Sequence, residues 1–566
     1  VKQQLQSCMQ AAVDDMLREH GQGDPVRVHL VRPRNQAHGD FASNVALETA
    51  GRLKCAPRQA AEKLLAQVNW PDAVEAAEIA GPGFINIRLK HGSEADVLLR
   101  IIEQGEQYGR AAAGDEKVCV EYVSANPTGP MHVGHGRGAV VGDAVANVLA
   151  ACGYRVHREY YINDAGAQVG VLAESVWWRM RELQGETVVQ PDDAYPGEYV
   201  VDAARRILER NPFEQLASLP DAKRRKLLAG AAVQAMMDMI QGDLAVLGIG
   251  FDQFFSESDL HASGSVDGLI EKLQELGAVY RGVLPPPKGR TVEDYQPVEQ
   301  LLFRTTDYGD DVDRPLAKQD GTPTYFAADI AYHFDKHERG FDRLVDVWGA
   351  DHGGYVARVQ SAMQALSGKP HQPEVVLVQM VNLTREGKPV RMSKRAGTFV
   401  TLREVIDEVG RDAVRFNFLT RKAESQLEFD LETAKEQSDE NPVYYAQYAH
   451  ARACSVIRRA GEEGLKIGDA GTVDLTLLRA KEEAGLLAML LHYPDVLAQA
   501  SKRLEPYRVA TFLLQLAADF HSFYHKHRVI GVEPELGRAR LLLVAAIAQV
   551  MRNGLGLLGV SAPESM

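Results

Sequence analysis

The chain is poor in the residues that build small stapled or metal-centred folds. Its 566 residues include five cysteines, at 8, 55, 119, 152 and 454, and no two form a CxxC pair. Zinc ribbons and thioredoxin-like chemistry are therefore unsupported, and no protein-bound zinc is expected. A disulfide scaffold does not suit so long a chain, so a reducing, cytoplasmic setting is the simpler reading. No apolar run reaches the ~18–20 residues of a membrane-spanning helix. The longest, Leu541–Met551, reads as a buried helix. The opening VKQQLQSCMQ lacks the basic-then-apolar order of a signal peptide, and Val at position 1 gives the expectation that a residue or more precedes it. No GxxxxGK[ST] stretch occurs, which removes the P-loop ATPases. Internal repeats and low-complexity tracts are also missing.

A basic excess is missing too. Lys and Arg number 63 against 77 Asp and Glu, a formal net charge of −14. That excludes an indiscriminately basic nucleic-acid coat. It leaves room for a local basic face, because the field depends on where charges lie. From 441 to 566, 14 Lys and Arg meet 12 Asp and Glu, a net of +2, so the other 440 residues carry −16. The 45% apolar and 25% charged content argues against long disorder. At ~150 residues per domain the length suggests about three or four domains.

What is present falls into three regimes. Leu5, Cys8, Met9, Val13, Met16 and Leu17 follow helical spacing. A strand is expected over Val26–Val31, a helix over Pro57–Gln67, and a strand over Phe84–Arg88. Together these predict a small α+β domain over residues 1–110. From Lys117 the pattern changes. A strand over Val118–Val123, a Gly/Pro-punctuated loop and a helix over Ala139–Ala151 with Gly153 behind it start a parallel α/β nucleotide fold. Further strands are expected at Arg155–Ile162, Leu344–Trp348 and Val375–Val381. This Rossmann-type domain spans 111–420, with helical insertions over roughly 175–300, a stretch that ends in Leu284-Pro285-Pro286-Pro287-Lys288-Gly289. Residues 421–566 read as an all-α helical bundle.

Two constellations carry chemistry. The first runs Glu121-Tyr122-Val123-Ser124-Ala125-Asn126-Pro127-Thr128-Gly129-Pro130-Met131-His132-Val133-Gly134-His135-Gly136. It lies between the first strand and the first long helix of the α/β region. Glycines there let backbone approach a ligand, and a helix N-terminus favours phosphate. Two histidines three apart can reach one phosphate and stabilise charge developing on it. The ordinary alternatives are a generic Gly-rich loop, a metal pair lacking a third ligand, or a turn with incidental histidines. The second runs Arg385-Glu386-Gly387-Lys388-Pro389-Val390-Arg391-Met392-Ser393-Lys394-Arg395-Ala396-Gly397-Thr398, with its core over roughly 388–398. A basic loop of this kind suits phosphoryl chemistry, where Lys follows migrating negative charge. A solvated basic turn or a nonspecific RNA patch is the plain alternative.

His132-Val133-Gly134-His135 resembles the HIGH signature of class I aminoacyl-tRNA synthetases, and Arg391-Met392-Ser393-Lys394-Arg395 their KMSKS loop. The order and separation of the two also match. Ser124-Ala125-Asn126-Pro127, Tyr325-Phe326-Ala327-Ala328-Asp329-Ile330-Ala331-Tyr332-His333 and Trp348-Gly349-Ala350-Asp351-His352 are similar to arginyl-tRNA synthetases. His38-Gly39-Asp40 and Gly81-Pro82-Gly83-Phe84-Ile85-Asn86 resemble that family's added N-terminal domain. Asn441-Pro442 through Arg452 resembles the start of its anticodon-binding helices. The resemblance covers nearly the whole chain and is weakest over 175–300.

The resemblance implies a ligase that activates L-arginine with ATP, releases pyrophosphate, and passes the arginyl group to the terminal ribose of tRNA(Arg). It implies His132, His135 and Lys394 as catalytic residues. It implies ATP contacts at His132, Gly134, His135, Gly349, Asp351, His352, Met392, Ser393 and Lys394, with Mg²⁺ carried on the triphosphate. Arginine contacts are implied at Glu121, Ser124, Asn126, His132, Tyr325 and Asp329, and tRNA contacts at Phe84, Asn86, Tyr448, Arg452 and Met566. A guanidinium is planar, always charged and rich in donors, so a carboxylate such as Asp329 is its natural partner. Arg391 and Arg395 depart from KMSKS while Lys394 keeps its second lysine. A monomer without membrane association is the family expectation. Competing readings are another class I synthetase or nucleotidyltransferase, and a tRNA-binding paralog that has lost activation. Asp329 and the N-terminal module speak against the first, and His132, His135 and Lys394 against the second.

Overall fold

The computed structural model describes residues 2–21, 25–31, 33, 38–72, 74–89, 95–284, 298–318, 320–390 and 400–566. The chain divides into two compact units, each discontinuous in sequence. One joins Val1–Gly105 with Val456–Leu491 and Ser522–Ala546; the other joins Glu106–Ser455 with His492–His521 and Ile547–Met566.

In the first unit the helix Lys2–Glu19 buries Leu5, Met9, Val13, Met16 and Leu17, as their spacing predicts. A three-stranded antiparallel sheet orders Phe41–Ser43, Phe84–Leu89 and Val74–Ala80 side by side. Leu491, from the C-terminal region, packs on the same core. The strand expected over Val26–Val31 is extended and buries Val26, Val28 and Leu30, but it joins the sheet only through a bridge from Val31 to Ala42. Two glutamines of the first helix take the place of a neighbouring strand. The Gln10 amide donates to the Val26 carbonyl at 2.7 Å, and Val28 N–H donates to Gln10 Oε1 at 2.8 Å. Gln6 donates to the Val28 carbonyl at 2.9 Å. Backbone groups need partners, and side chains can supply them as well as a strand.

The second unit is built on a five-stranded parallel sheet. Its spatial order is Glu374–Val378, Arg343–Gly349, Lys117–Glu121, Arg155–Ile162, Gln253–Ser256. The first strand in sequence is therefore central, and strand order reverses between it and Arg343–Gly349. The register sets Asp346 beside Glu121 and Glu121 beside Glu159, so three carboxylates stand in a row across neighbouring strands. Like charges facing each other destabilise a sheet unless a counter-charge covers them. The helix Tyr325–Glu338 supplies Lys336, and Arg339 stands just past its end. Lys336 Nζ reaches Glu121 at 2.5 Å and Asp346 at 3.1 Å. Arg339 forks onto Glu159 at 2.6 and 2.9 Å.

The 175–300 stretch is largely helical, as expected, and its helices share a core with Ala167–Leu183. It also yields Gln253–Ser256, an edge strand of the main sheet. Four residues are too few for a period to show in sequence. A separate antiparallel sheet follows, formed by Val279–Val283, Glu299–Phe303 and Arg314–Ala317. Of the Leu284–Gly289 turn, residues 285–289 lie outside the described residues. Beyond 441 come helices Pro442–Glu462, Lys481–Arg503, Tyr507–Lys526 and Pro534–Leu557. The last is long and apolar enough to cross a membrane by composition, yet Leu541–Val544, Ala546, Ile547, Val550 and Met551 are buried inside the protein.

Asp243, on the helix Asp221–Leu247, is buried, and its Oδ2 has no hydrogen-bond partner among the described residues. Burial pushes its pKa up to about 6, with Arg403 and Asp407 as its charged neighbours. A carboxyl whose folded pKa is raised costs stability as pH climbs from its unfolded value through the folded one. Asp243→Asn removes that cost. Thermal unfolding should show the variant stabilised by up to about 3 kcal/mol near pH 8, with the gain vanishing toward pH ~4. A pH-independent offset would contradict this account.

Candidate active site

Ligands of open parallel sheets sit beyond the carboxyl ends of the strands, where strand order reverses. The two strands that flank this reversal end at Glu121 and at Gly349. Beyond the first end, a loop leads into the helix Val133–Ala151, six residues longer at its start than expected. His132 caps that helix. Its Nδ1 accepts from the backbone N–H of Gly134 at 3.1 Å and of His135 at 3.3 Å. His135 Nδ1 accepts from His132 N–H at 3.5 Å, and the two rings stack 3.7 Å apart at 15°. In a neutral imidazole whose Nδ1 accepts, the proton sits on Nε2. Two Nε2–H donors thus stand at the positive end of a helix, which suits charge developing on a phosphate. The folded-back ring also explains the glycine, since a Cβ at Gly134 would lie 2.9 Å from His132 Cε1.

The segment that follows the basic loop in sequence meets this same backbone. Leu402 N–H donates to the Met131 carbonyl at 2.8 Å, and Thr401 bridges His132. Thr401 also caps the helix Leu402–Val409 in a reciprocal pair with Glu404. Arg391, Met392, Ser393, Lys394 and Arg395 lie outside the described residues. Beyond the second strand end, Asp351 and His352 are exposed on a short turn, His352 Nε2 3.7 Å from Asp351 Oδ2. A Cβ at Gly349 would stand 2.4 Å from Asp351 Oδ1.

The remaining expected residues lie at the end of the first strand and on the helix Tyr325–Glu338. Ser124 donates to Glu121 Oε1 at 2.9 Å and accepts from Tyr161 N–H at 3.1 Å. The Glu121 carboxylate is buried and already paired with Lys336, with Ser124 on its other oxygen, so it is not an open acid. Burial raises its pKa, and Lys336 opposes the rise. Asn126 is exposed, 3.2 Å from Gln168 Oε1. Tyr325 is 65% exposed at the start of its helix, and Asp329 lies one turn on, half-buried. Burial raises the Asp329 pKa, while a hydrogen bond with Tyr355 and the nearby His352 lower it.

Sequence reasoning missed Glu257, which opens the helix Glu257–Ala262 and is buried. Its pKa is raised by burial and by the charge of Asp329, against hydrogen bonds from Tyr161 and His261. In sequence Glu257 stands beside the cap Ser256 and reads as an ordinary first-turn acid. Tyr161 and Tyr355, which hold the two carboxylates, carried no motif either. Glu121, His333 and Asp346 place potential ligand atoms within 4.8 Å of one another. Lys336 Nζ already lies among them, so an ammonium takes the place of a metal cation.

The expected tRNA residues lie elsewhere. On the helix Pro442–Glu462, Tyr444 stacks on Tyr448 at 5.7 Å, and Arg452 lies 4.5 Å over the Tyr448 ring and bonds its hydroxyl at 2.7 Å. His521 faces Tyr445 and Tyr448. Met566 is 55% exposed. In the first unit Phe84 is 42% exposed, and Asn86 lies half-buried between Ala42 and Glu78.

The chain is similar to known proteins along almost its whole length. Residues 3–89 match the family described as arginyl tRNA synthetase N terminal domain. Residues 97–195 match tRNA synthetases class I (R), catalytic domain, and 446–566 match DALR anticodon binding domain. The arginine–tRNA ligase of Magnetococcus marinus is 49% identical over 95% of each chain. That of Azorhizobium caulinodans is 50% identical over 98% of this chain and 97% of its own. The Thermus thermophilus arginyl-tRNA synthetase shares the fold, with a TM-score of 0.76 over the full length of both chains at 23% identity. A catalytic sheet with paired histidines at its switch point, joined to relatives of this closeness along almost the whole length, places the chain in the arginyl-tRNA synthetase family of class I.

Proposed function

We propose that the chain activates L-arginine with ATP and transfers it to the 3′-terminal ribose of tRNA(Arg), at the sheet reversal just described. The observation that carries this reading is the nearness of Asp329 and Glu257, two carboxyls whose pKa values burial raises, with the charge of Asp329 raising that of Glu257 further. A cation lodged between them relieves both. A guanidinium does so best, because its donors fork onto carboxylates while its charge persists at every pH. Tyr325 borders this end. Ser124 and Asn126, backed by Glu121, stand at the strand end where the α-ammonium and carboxylate of arginine would lie.

The α-carboxylate attacks the α-phosphate of ATP, and pyrophosphate leaves. Charge grows on the phosphate oxygens, and the Nε2–H groups of His132 and His135 face that charge. Gly134, Gly349, Asp351 and His352 border the nucleotide. By motif, Met392, Ser393 and Lys394 follow the departing phosphates, and Mg²⁺ travels with the triphosphate. Tyr448 and Arg452, with Tyr444, form a stacking platform suited to unstacked anticodon bases. Met566 is a further candidate there, and Phe84 with Asn86 form a second candidate RNA face. Sparse cysteines favour a cytoplasmic setting, and a monomer is the family expectation.

ATP–pyrophosphate exchange, run with each amino acid and with or without tRNA(Arg), tests the reading. Exchange is expected with arginine alone and only when tRNA is present; robust exchange with another amino acid would overturn it. Asp329→Asn and Glu257→Gln should each raise KM for arginine by roughly 10- to 100-fold and leave KM for ATP unchanged. Equal losses for both substrates would remove these carboxylates from the arginine pocket. Because both pKa values are raised, arginine affinity should fall as pH drops.

A further inference from the structure

One buried histidine near this pocket has no part in the reaction above. His333 lies on the helix Tyr325–Glu338 and is 3% exposed. Its Nδ1 is 2.8 Å from the backbone carbonyl of Asp329, one turn earlier, and its Nε2 is 2.7 Å from Asp346 Oδ2. A carbonyl can only accept, so Nδ1 carries a proton. Asp346 accepts from Lys336 through its other oxygen, and its pKa is lowered: burial opposes ionisation, but Lys336 and His333 outweigh it. An ionised carboxylate also only accepts, so Nε2 carries a proton too. A neutral ring has one donor nitrogen and would leave one of these contacts repulsive.

The charge balance agrees. Glu121, Glu159 and Asp346 form the acidic row, and Lys336 and Arg339 supply two positive charges, the second shared with Asp335. A third closes the row. The groups facing His333 are Asp346 on its strand, Glu121 across the sheet, and Lys336 and Asp329 on its own helix. The rings of Tyr332 and Trp348 meet it edge-on.

We propose that His333 is a standing imidazolium and a positioning residue for the arginine pocket. It pins the Asp329 turn of the helix onto the acidic row, and its charge keeps the Asp329 carboxylate ionised for a cationic side chain. This rests on the reading of Asp329 as an arginine contact. Burial works against the charged ring, yet Asp346 prevails and the His333 pKa is raised. Its contribution to stability is full at low pH and is lost only as pH climbs through that raised value.

The test uses the full-length protein labelled with ¹⁵N-histidine. One histidine, identified by its loss in H333N, should keep both ring nitrogens protonated from about pH 6 to about pH 9, where ordinary histidines turn neutral. A His333 ring that becomes neutral in this range overturns the proposal. If neither H333N nor H333Q folds, an imidazolium persisting near pH ~9 in the unaltered protein still supports it, and a spectrum without one overturns it. Arginine-dependent exchange in the presence of tRNA(Arg) gives the second readout. In H333N, KM for arginine should rise ~10-fold with KM for ATP unchanged, and the acid limb of kcat/KM should move up by about one pH unit. An unmoved acid limb with equal losses for both substrates assigns His333 a purely structural role and overturns the positioning claim. If the unaltered protein shows no arginine-dependent exchange, the arginine reading falls, while the nitrogen spectrum still decides the charge.

Discussion

The catalytic unit depends on a row of three carboxylates held side by side inside a protein. Asp346, Glu121 and Glu159 are directly in register on adjacent parallel strands, and all three are buried. Such a row is unstable alone, because buried charges repel and lack water. The helix Tyr325–Glu338 and the residue just past it lay His333, Lys336 and Arg339 across it, three apart along the helix. This fixes how the helix sits on the sheet. It therefore fixes where Asp329, on the same helix, meets Glu257, which follows the edge strand. In the proposed reading, substrate choice is set by the same charges that seat the helix.

The histidine pair solves a separate problem with the same economy. A phosphate site needs donors that do not lose their protons to one another. Here each Nδ1 accepts from a backbone N–H, so in the neutral rings both protons sit on Nε2. The segment after the basic loop is tied to the same backbone through Met131 and His132. The net charge of −14 fits a protein that confines RNA contacts to a few faces and repels RNA elsewhere.

Much of this was legible in the sequence because it is local. The HVGH and RMSKR stretches announce themselves, the glycine behind the helix at 153 ends it, and Leu5 through Leu17 face one core at helical spacing. What stayed hidden is non-local. Glu121, Glu159 and Asp346 are neighbours only through strand register, and nothing in a single chain reveals that register. Glu257 hid behind a capping serine, and Gln253–Ser256 was too short to show alternation. The Val26–Leu30 segment alternates like a strand and is extended, but Gln6 and Gln10 hold it, which no periodicity reports. The helix Val133–Ala151 starts earlier than expected because His132 caps it, and histidine is not a residue that normally signals a helix start.

The central claim is that the helix cations hold the acidic row, and thermal unfolding of Lys336→Met, alone and combined with Asp346→Asn, tests it most directly. The account predicts a loss of ~3–5 kcal/mol for the single variant, because buried Glu121 is left without its counter-charge and Asp346 keeps only His333. It predicts that adding Asp346→Asn returns part of that loss, since one of those charges is then gone. A single variant as stable as the unaltered protein, or a second substitution whose effect merely adds to the first, would contradict it.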